Sequence, residues 1–551
     1  MRIIVLCCFF LLTSISLSQS QKADVVFTNA NVWTVDTAKP HAEAVAVLNG
    51  IILAVGTSKE IKKYISKETN VINVGGKLML PGFIDDHTHF TSGGFQLQSI
   101  DLRNAKNEQE FASIIKERAA KHPNTWITGG DWDHDKWPGG KLPTKELIDQ
   151  FTPTTPVFVN RYDGHMAMAN SYALKLAGVT KNTPDPPGGH IVKDPTTAEP
   201  TGVLKDGAMD FVYNIIPNPR FDERMGAARL ALIEAKKFGV TSIQDMSFPE
   251  DLRAYQQLKA NNELTARFYC RLPISEWQHL ESIGVHVPFG DEWIRIGSLK
   301  AFADGSLGSS TAFFFQPYTS DSTTKGLATD IVLNGNLEKW AMAADSAGLQ
   351  LSIHSIGDSA NSLMLDMFER IVQHNPTWDR RFRLEHAQHI HPKDFQRFAK
   401  LDIIASAQPY HAIDDGRWAE KRIGNERCRT TYPFRTFLDN NIKLCFGSDW
   451  TVAPLNPLLG IYAAITRRTL DGANPNGWIP EQKISVQEAI AAYTINNAYA
   501  AFEENEKGSI SVGKLADLVV LSEDILSIDP VNIDKVQVEM TVVGGKVVYR
   551  K

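Results

Sequence analysis

The sharpest chemical signal in the chain is Pro81-Gly-Phe-Ile-Asp-Asp-His87-Thr-His89, an apolar run that ends in two histidines one residue apart. Residues two apart on an extended chain point the same way, so the pair can set two imidazoles on one ion. An HxH alone is a weak signal, because two solvated histidines read the same. The other candidates sharpen it by where they fall. His354 and His386 each end a short apolar run, Asp449 follows another in Phe446-Gly-Ser-Asp449-Trp450, and Lys300 sits inside Leu299-Lys-Ala-Phe-Ala-Asp304. Neutral imidazoles with a carboxylate suit Zn2+ or a similar divalent ion, and an ion with an open position lowers the pKa of bound water toward ~7. That makes a hydrolytic nucleophile at neutral pH. Asp449 could ligate the ion, take a proton from that water and deliver it to a leaving nitrogen or oxygen. Lys300 is the odd member, since a buried ammonium repels a metal. Carbamylation by carbon dioxide would convert it to an anion whose two oxygens can bridge two ions. A plain buried ion pair, for instance with Asp304, would leave a mononuclear site.

These residues need a scaffold that brings their run ends together. Eight runs have the length and β-branched apolar content of buried strands: Gly82 to His87, Val240 to Asp245, Arg267 to Leu272, Ile296 to Ala303, Leu349 to His354, Arg383 to His386, Ile403 to Gln408 and Lys443 to Ser448. Between them lie amphipathic helical stretches such as Glu223 to Phe238 and Leu337 to Gly348. The alternation predicts βα units, and eight of them make an α/β fold of the (β/α)8 TIM-like barrel type, whose strand ends meet at one rim. About 150 residues separate the first two strands, too many for one helix, so an insertion of its own is expected over about 91–219. At the chain ends, Asp24 to Val35 and Ala42 to Val55 alternate around Asn49-Gly50, and Ala516 to Leu521 and Val536 to Tyr549 do so around Gly544-Gly545. Such alternation with tight-turn residues reads as antiparallel hairpins. The expected organisation is a composite β-sandwich domain from 21–80 plus 505–551, closing over a barrel at 81–504.

The whole composition agrees with a globular enzyme. The chain has 551 residues, 43% hydrophobic and 22% charged, with a net charge of -6. These values exclude disorder and coiled coil as the main architecture, and the diffuse mild acidity argues against a nucleic-acid partner. Residues 1–20 carry Arg2, an apolar run from Ile3 to Leu12 and then small polar residues, the pattern of a secretory signal peptide. The run is shorter than the ~20 residues that span a bilayer, so no stable membrane insertion is expected after cleavage, and the mature protein is expected to be exported, periplasmic or secreted. Cys270, Cys428 and Cys445 remain beyond that segment, an odd number without CxxC spacing, so buried free thiols are expected. No Walker motif, GxSxG elbow or GxGxxG follows a strand.

The order HxH, Lys, His, His, Asp on strands one, four, five, six and eight resembles the amidohydrolase superfamily in its binuclear form. Further stretches, among them Gly130-Asp-Trp-Asp-His-Asp-Lys-Trp-Pro, Asn160-Arg-Tyr-Asp-Gly-His165, Asn170-Ser-Tyr-Ala-Leu174, Asp304-Gly-Ser-Leu-Gly308, Ile353-His-Ser-Ile-Gly-Asp358, Leu384-Glu-His-Ala-Gln388 and Ala407-Gln-Pro409, are similar to the branch called amidohydrolase 3, which includes N-substituted formamide deformylase. The resemblance runs from about Asp24 to the end and is specific for the branch, much less so for a substrate. It implies that His87 and His89 hold one metal, His354 and His386 a second, carboxylated Lys300 bridges two zinc ions, and Asp449 is ligand and acid/base. The second HxH, His389 and His391, reads as loop histidines past a strand end. Weaker candidates for substrate binding are His165, Arg161, Asp358 and Trp132; against them stand an ordinary polar loop, a helix cap and a tryptophan packed in the insertion's core. The expected activity is metal-dependent hydrolysis of an amide-type C-N bond in a small N-acyl or N-formyl molecule. A metal-dependent deaminase of a heterocyclic amine and a non-catalytic sensor or scaffold are the rivals, and monomer or homodimer is left open.

Overall fold

A computed structural model describes residues 21–551 apart from residues 163, 165, 187 and 188. The expected signal segment, residues 1–20, lies outside the described residues. Eight parallel strands follow one another in sheet order: Phe83–Thr88, Val240–Met246, Arg267–Pro273, Ile294–Phe302, Leu351–Ser355, Arg383–His386, Ile404–Ala407 and Leu444–Phe446. Each run expected from the sequence is there, shifted by a few residues at its ends.

The last strand returns to the first. Asp449 N–H donates to the His87 carbonyl (2.7 Å), His89 N–H to the Trp450 carbonyl (2.6 Å), and Ser448 N–H to Asp85 Oδ1 (2.9 Å). This seam needs a glycine. A Cβ on Gly447 would stand 2.5 Å from His87 N and 2.7 Å from Asp86 Oδ1, closer than any real side chain, so the approach of strand eight to strand one is open to glycine alone.

Helices cover the barrel as their patterns demand. Phe221–Lys237 buries Ala228 and Leu232 with strand residues Val240 and Ile243, while Asn336–Ser346 and Asp358–His374 bury Leu337, Ala341, Leu365, Phe368 and Ile371 with Leu299, Leu351 and Leu384. Phe368 stacks on Phe382 with centroids 4.6 Å apart. Each fully buried large apolar side chain contributes roughly 1.5–3 kcal/mol.

The chain ends share a sheet. Leu78–Pro81 pairs antiparallel with Leu518–Leu521, in the order Leu518 to Pro81, Val519 to Leu80 and Val520 to Met79. A second sheet contains Val25–Thr28 and the hairpin Ala44–Leu48 and Ile51–Gly56. The hairpin turns at Asn49-Gly50 with φ of 51° and 79°, the left-handed pair that two-residue hairpins favour. Phe27, Val45, Met79, Leu518 and Val542 fill the space between the sheets. Arg267, at the start of the third barrel strand, ties this unit to the barrel through Asp517 at 2.7 Å.

The long connection after strand one contains its own six-stranded sheet, Gly189–Lys193, Pro200–Asp206, Met166–Ala169, Val157–Arg161, Ile127–Trp132 and Ile100–Asp101 in spatial order. Asn170 organises it from within. Its buried amide caps helix Ser171–Leu176 through Ala173 N (2.9 Å), holds Val157 N (3.0 Å) and donates to Thr152 Oγ1 (2.8 Å). Cys270, Cys428 and Cys445 are free and buried. Among the described residues no helix is long and apolar enough to cross a membrane.

Candidate metal centre

The strand ends deliver their side chains to one rim. His87 is fully buried and its Nδ1 bonds to Glu385, which turns Nε2 toward Lys300 Nζ (3.4 Å) and Asp449 Oδ1 (3.5 Å). His89 Nε2 lies 3.5 Å from the same Asp449 oxygen. On the other side His386 is fixed by its Nδ1 against Gln408 Oε1 (2.7 Å), and its ring stands 4.8 Å from that of His87 and 4.5 Å from that of His354. Two groups therefore converge on one carboxylate: His87, His89 and Asp449, and His386, His411 and Asp449, each with ligand atoms within 4.8 Å of one another.

Backbone strain marks the two residues with the most demanding positions. His386 has φ of 71° and Asp449 of 56°, a region that costs side-chain-bearing residues energy and persists where surrounding structure imposes it. In an ordinary strand neighbours face opposite sides. The turn at His386 lets both Glu385 and His386 enter the barrel, one beneath the other.

The electrostatics favour ligands over cations. Burial, with Lys300 second, depresses His87 to about 4 and His354 to about 3. Burial also lowers His386 and His411. These imidazoles are neutral at pH 7, the form that binds metal. Burial pushes the Asp449 carboxyl up, but His87, His89, His386 and His411 outweigh it and hold it well below the usual range. Lys300 is brought down to about 8, first by burial, against the pull of Glu385 and Asp449. His411 Nε2 is buried without a hydrogen-bond partner among the described residues, 4.0 Å from Asp449 Oδ2. A divalent ion fits this donor set: neutral nitrogens around an ionised carboxylate.

Beneath the rim the interior is charged. Glu385 accepts from Ser406 Oγ (2.7 Å) and faces Arg271 Nη1 at 2.7 Å, an ion pair whose angle falls outside hydrogen-bond geometry. Arg271 and Arg383 both donate to Gln244 Oε1. Glu385 lies next to His386 in sequence, and only its position against His87 reveals what it does.

Several residues named from the sequence stand elsewhere. His354 is at the rim, but its Nε2 is 3.2 Å from the Gly305 carbonyl and 3.6 Å from Asp304 Oδ1, and it belongs to neither convergent group. Asp304 does not pair with Lys300; it accepts from the backbone N–H groups of Phe313, Ile356 and Gly357 and so fixes the loops beside His354. Trp132 is fully buried in the insertion, donates to the Val159 carbonyl (2.8 Å) and packs on Phe111 and Trp137, in the insertion's core rather than on the cavity wall. Asp358 opens helix Asp358–His374 and accepts from Phe315 N (2.9 Å), which makes it a loop anchor away from the cavity. Arg161 is buried beside Asp133 Oδ1 (3.3 Å), and its neighbour Tyr162 is the residue that meets the site. His165 lies outside the described residues. His389 is a buried loop histidine held by Thr431 Oγ1 (2.7 Å), and His391 caps the turn at Lys393.

The site opens into a cavity of about 210 Å³ walled by Tyr162, Phe302, Leu307, Ile356, Trp418 and Val452. Tyr162 comes from the insertion, so that unit helps enclose the site. Sequence reasoning missed Glu385, His411 and Tyr162. Only His411 carried a signal, since it lies three residues after Gln408 in the first turn beyond strand seven, where rim residues belong.

The profile described as "Amidohydrolase family" (Amidohydro_3) matches residues 70–549. The protein LONG AFTER FAR-RED 3 of Arabidopsis thaliana is 40% identical over 96% of this chain and 92% of its own. An N-substituted formamide deformylase of Arthrobacter pascens is 28% identical over 97% and 99%. The crystal structure of an uncharacterized metal-dependent hydrolase from Pyrococcus horikoshii OT3 superposes with a TM-score of 0.77 at 26% identity, covering 92% of this chain and 99% of that one.

Proposed function

Since the chain belongs to the amidohydrolase family, we propose that it hydrolyses a non-peptide amide-type C-N bond in a small N-acyl or N-formyl compound. The observation that carries this reading is the Asp449 carboxylate set between the His87/His89 pair and the His386/His411 pair at the barrel rim. The likeness to a formamide deformylase over nearly the whole of both chains supports it. So does the size of the cavity, which suits a small molecule.

His87, His89 and Asp449 would hold a divalent ion, which we read as zinc, with a second at His386, and the ions would supply Lewis acidity and an acidified water. Lys300 has the chemistry to become the bridge. An amine brought down to about 8 has an appreciable uncharged fraction at neutral pH, and the uncharged amine is the form that attacks carbon dioxide. Asp449, held ionised, takes a proton from the attacking water and passes it to the departing nitrogen. The acyl carbon gains the hydroxyl group, the C-N bond breaks and the amine leaves protonated. Tyr162, Phe302 and Trp418 exclude bulk water and hold the acyl and amine substituents.

The test is a screen of N-formyl and N-acyl amines with the zinc-loaded protein. Amine release is expected, and Asp449→Asn is expected to lower kcat/KM by about 10²–10⁴-fold. Ammonia release from heterocyclic amines, with every N-acyl compound inert, would replace this reading by deamination. Unchanged activity of Asp449→Asn on a confirmed substrate would remove the mechanism. Export is part of the proposal, supported by Arg2 and the apolar run that follows it; N-terminal sequencing of the mature protein checks it.

A further inference from the structure

Resting on the proposed amide hydrolysis, we infer that Asp415 is a specificity-determining residue and that the substrate carries an N–H cation, an ammonium or a similar group, on a short chain from the bond that breaks. Asp415 lines the same cavity as His386, His411 and Asp449. It stands four residues after His411 in helix Pro409–Asp415, and residues four apart share one helix face with Cβ atoms about 5–6 Å apart. The carboxylate is thus carried about one helical turn away from the metal centre, along the cavity wall.

The two carboxylate oxygens have different duties. Oδ2 accepts from the Tyr432 hydroxyl (2.6 Å) and from Gln388 Nε2 (2.9 Å), which fixes the orientation of the group. Oδ1 accepts from no described residue and is not among the buried unpartnered atoms, so it opens on the cavity that Asp415 lines. The surroundings select a cation for it. Asp414, beside it on the wall, is engaged by Arg417, which is not itself part of the wall. Among the described residues Lys300, at the metal centre, is the one lysine or arginine that lines the cavity. Tyr162 and Trp418 add aromatic rings to the wall, and the faces of such rings attract cations. An oriented carboxylate oxygen with no protein cation to pair it matches an ammonium N–H, because a hydrogen bond between ionised groups is roughly twice as strong as a neutral one.

Asp415→Asn inverts the wall at this one point. Tyr432 and Gln388 both donate, so the asparagine oxygen takes the place of Oδ2 and its NH2 faces the cavity where Oδ1 stood. The probes are two methanesulfonamides that the enzyme cannot cleave: one carries an N-butyl chain, the other the same chain with ammonium in place of the terminal methyl. Their Kd values are measured by calorimetry on the zinc-loaded protein at about pH 8, above the value of about 7 to which burial raises Asp415. Wild type is expected to bind the ammonium compound about 10–100-fold more tightly than its neutral isostere. Asp415→Asn, its fold verified by circular dichroism, is expected to lose that preference while its Kd for the neutral compound stays close to that of wild type. An Asp415 that only ties Gln388 to Tyr432 would instead change both affinities together. A crystal structure of wild type with the ammonium compound gives a reading independent of any variant, and its nitrogen is expected within about 3.2 Å of Asp415 Oδ1. Equal affinities in wild type, a preference retained by folded Asp415→Asn, or an ammonium seated away from Asp415 would each overturn the inference. Neither probe is hydrolysed, so failure of the proposed reaction shows in the substrate screen and failure of this inference in the ratio of the two Kd values.

Discussion

Replacing Glu385 by glutamine tests how the barrel interior sets up the rim. The carboxylate is fully buried. One oxygen accepts from both His87 Nδ1–H and Ser406 Oγ–H, and the other faces Arg271 Nη1 at 2.7 Å. A glutamine has only one oxygen for these two duties. With that oxygen toward His87, the new NH2 opposes the Arg271 guanidinium and leaves a buried charge uncompensated, a change that costs about 3–5 kcal/mol. With the amide reversed, NH2 meets His87 Nδ1, and the imidazole must carry its proton on Nε2, where a lone pair is needed for metal. Loss of such an orienting partner lowers metal affinity by about 10–100-fold, or roughly 1.4–2.7 kcal/mol. Two assays read the two outcomes separately. Competition for zinc against a chromophoric chelator is expected to show a Kd raised by about 10–100-fold, and urea unfolding of the metal-free protein, followed by circular dichroism, a lower midpoint. A Glu385→Gln protein with zinc affinity within twofold of wild type and an unshifted midpoint would refute the reasoning.

Three other perturbations follow from the geometry. Gly447→Ala places a Cβ 2.5 Å from His87 N, so overpacking is expected to cost about 1–3 kcal/mol and to displace His87, measured as a lowered unfolding midpoint together with reduced zinc binding. Trp132→Ala removes a core side chain of the insertion and is expected to cost about 3–5 kcal/mol, while kcat/KM per correctly folded molecule stays within about twofold of wild type; a selective rise in KM would instead restore Trp132 to the substrate site. Asp415 is raised by burial to about 7 despite hydrogen bonds from Tyr432 and Gln388. A carboxyl with a raised folded-state pKa gives stability that is fully present below its unfolded value and lost as pH rises through the folded one. Wild type should therefore lose stability relative to Asp415→Asn between pH 4 and pH 7, and urea midpoints that move in parallel across that range would exclude it.

The barrel was legible because its strands are short β-branched runs whose chemistry sits at their ends. Buried parallel strands must be apolar over their length and release polar side chains only at the rim, so His87, His386 and Asp449 could be ordered around a ring from sequence alone. The hairpins were legible for a similar local reason: Asn49-Gly50 and Gly544-Gly545 supply the positive φ that tight turns require. Sequence also fixed which residue types could do the chemistry, since imidazole and carboxylate are ligands wherever they meet. It did not determine which nitrogen or oxygen faces which partner, because that depends on contacts between segments far apart in the chain. Glu385 is 298 residues from His87 yet orients its ring. His354, at the strand end where a ligand was expected, directs Nε2 to Gly305, while His411, from the turn after strand seven, brings its buried Nε2 to 4.0 Å from Asp449 Oδ2. Trp132 and Tyr162 both come from the insertion, and packing sent the first into its core and the second to the cavity wall. Local pattern thus determined the elements and the inventory of ligands, whereas the closed barrel decided their aim, because only closure brings distant strands close enough to constrain one another's side chains.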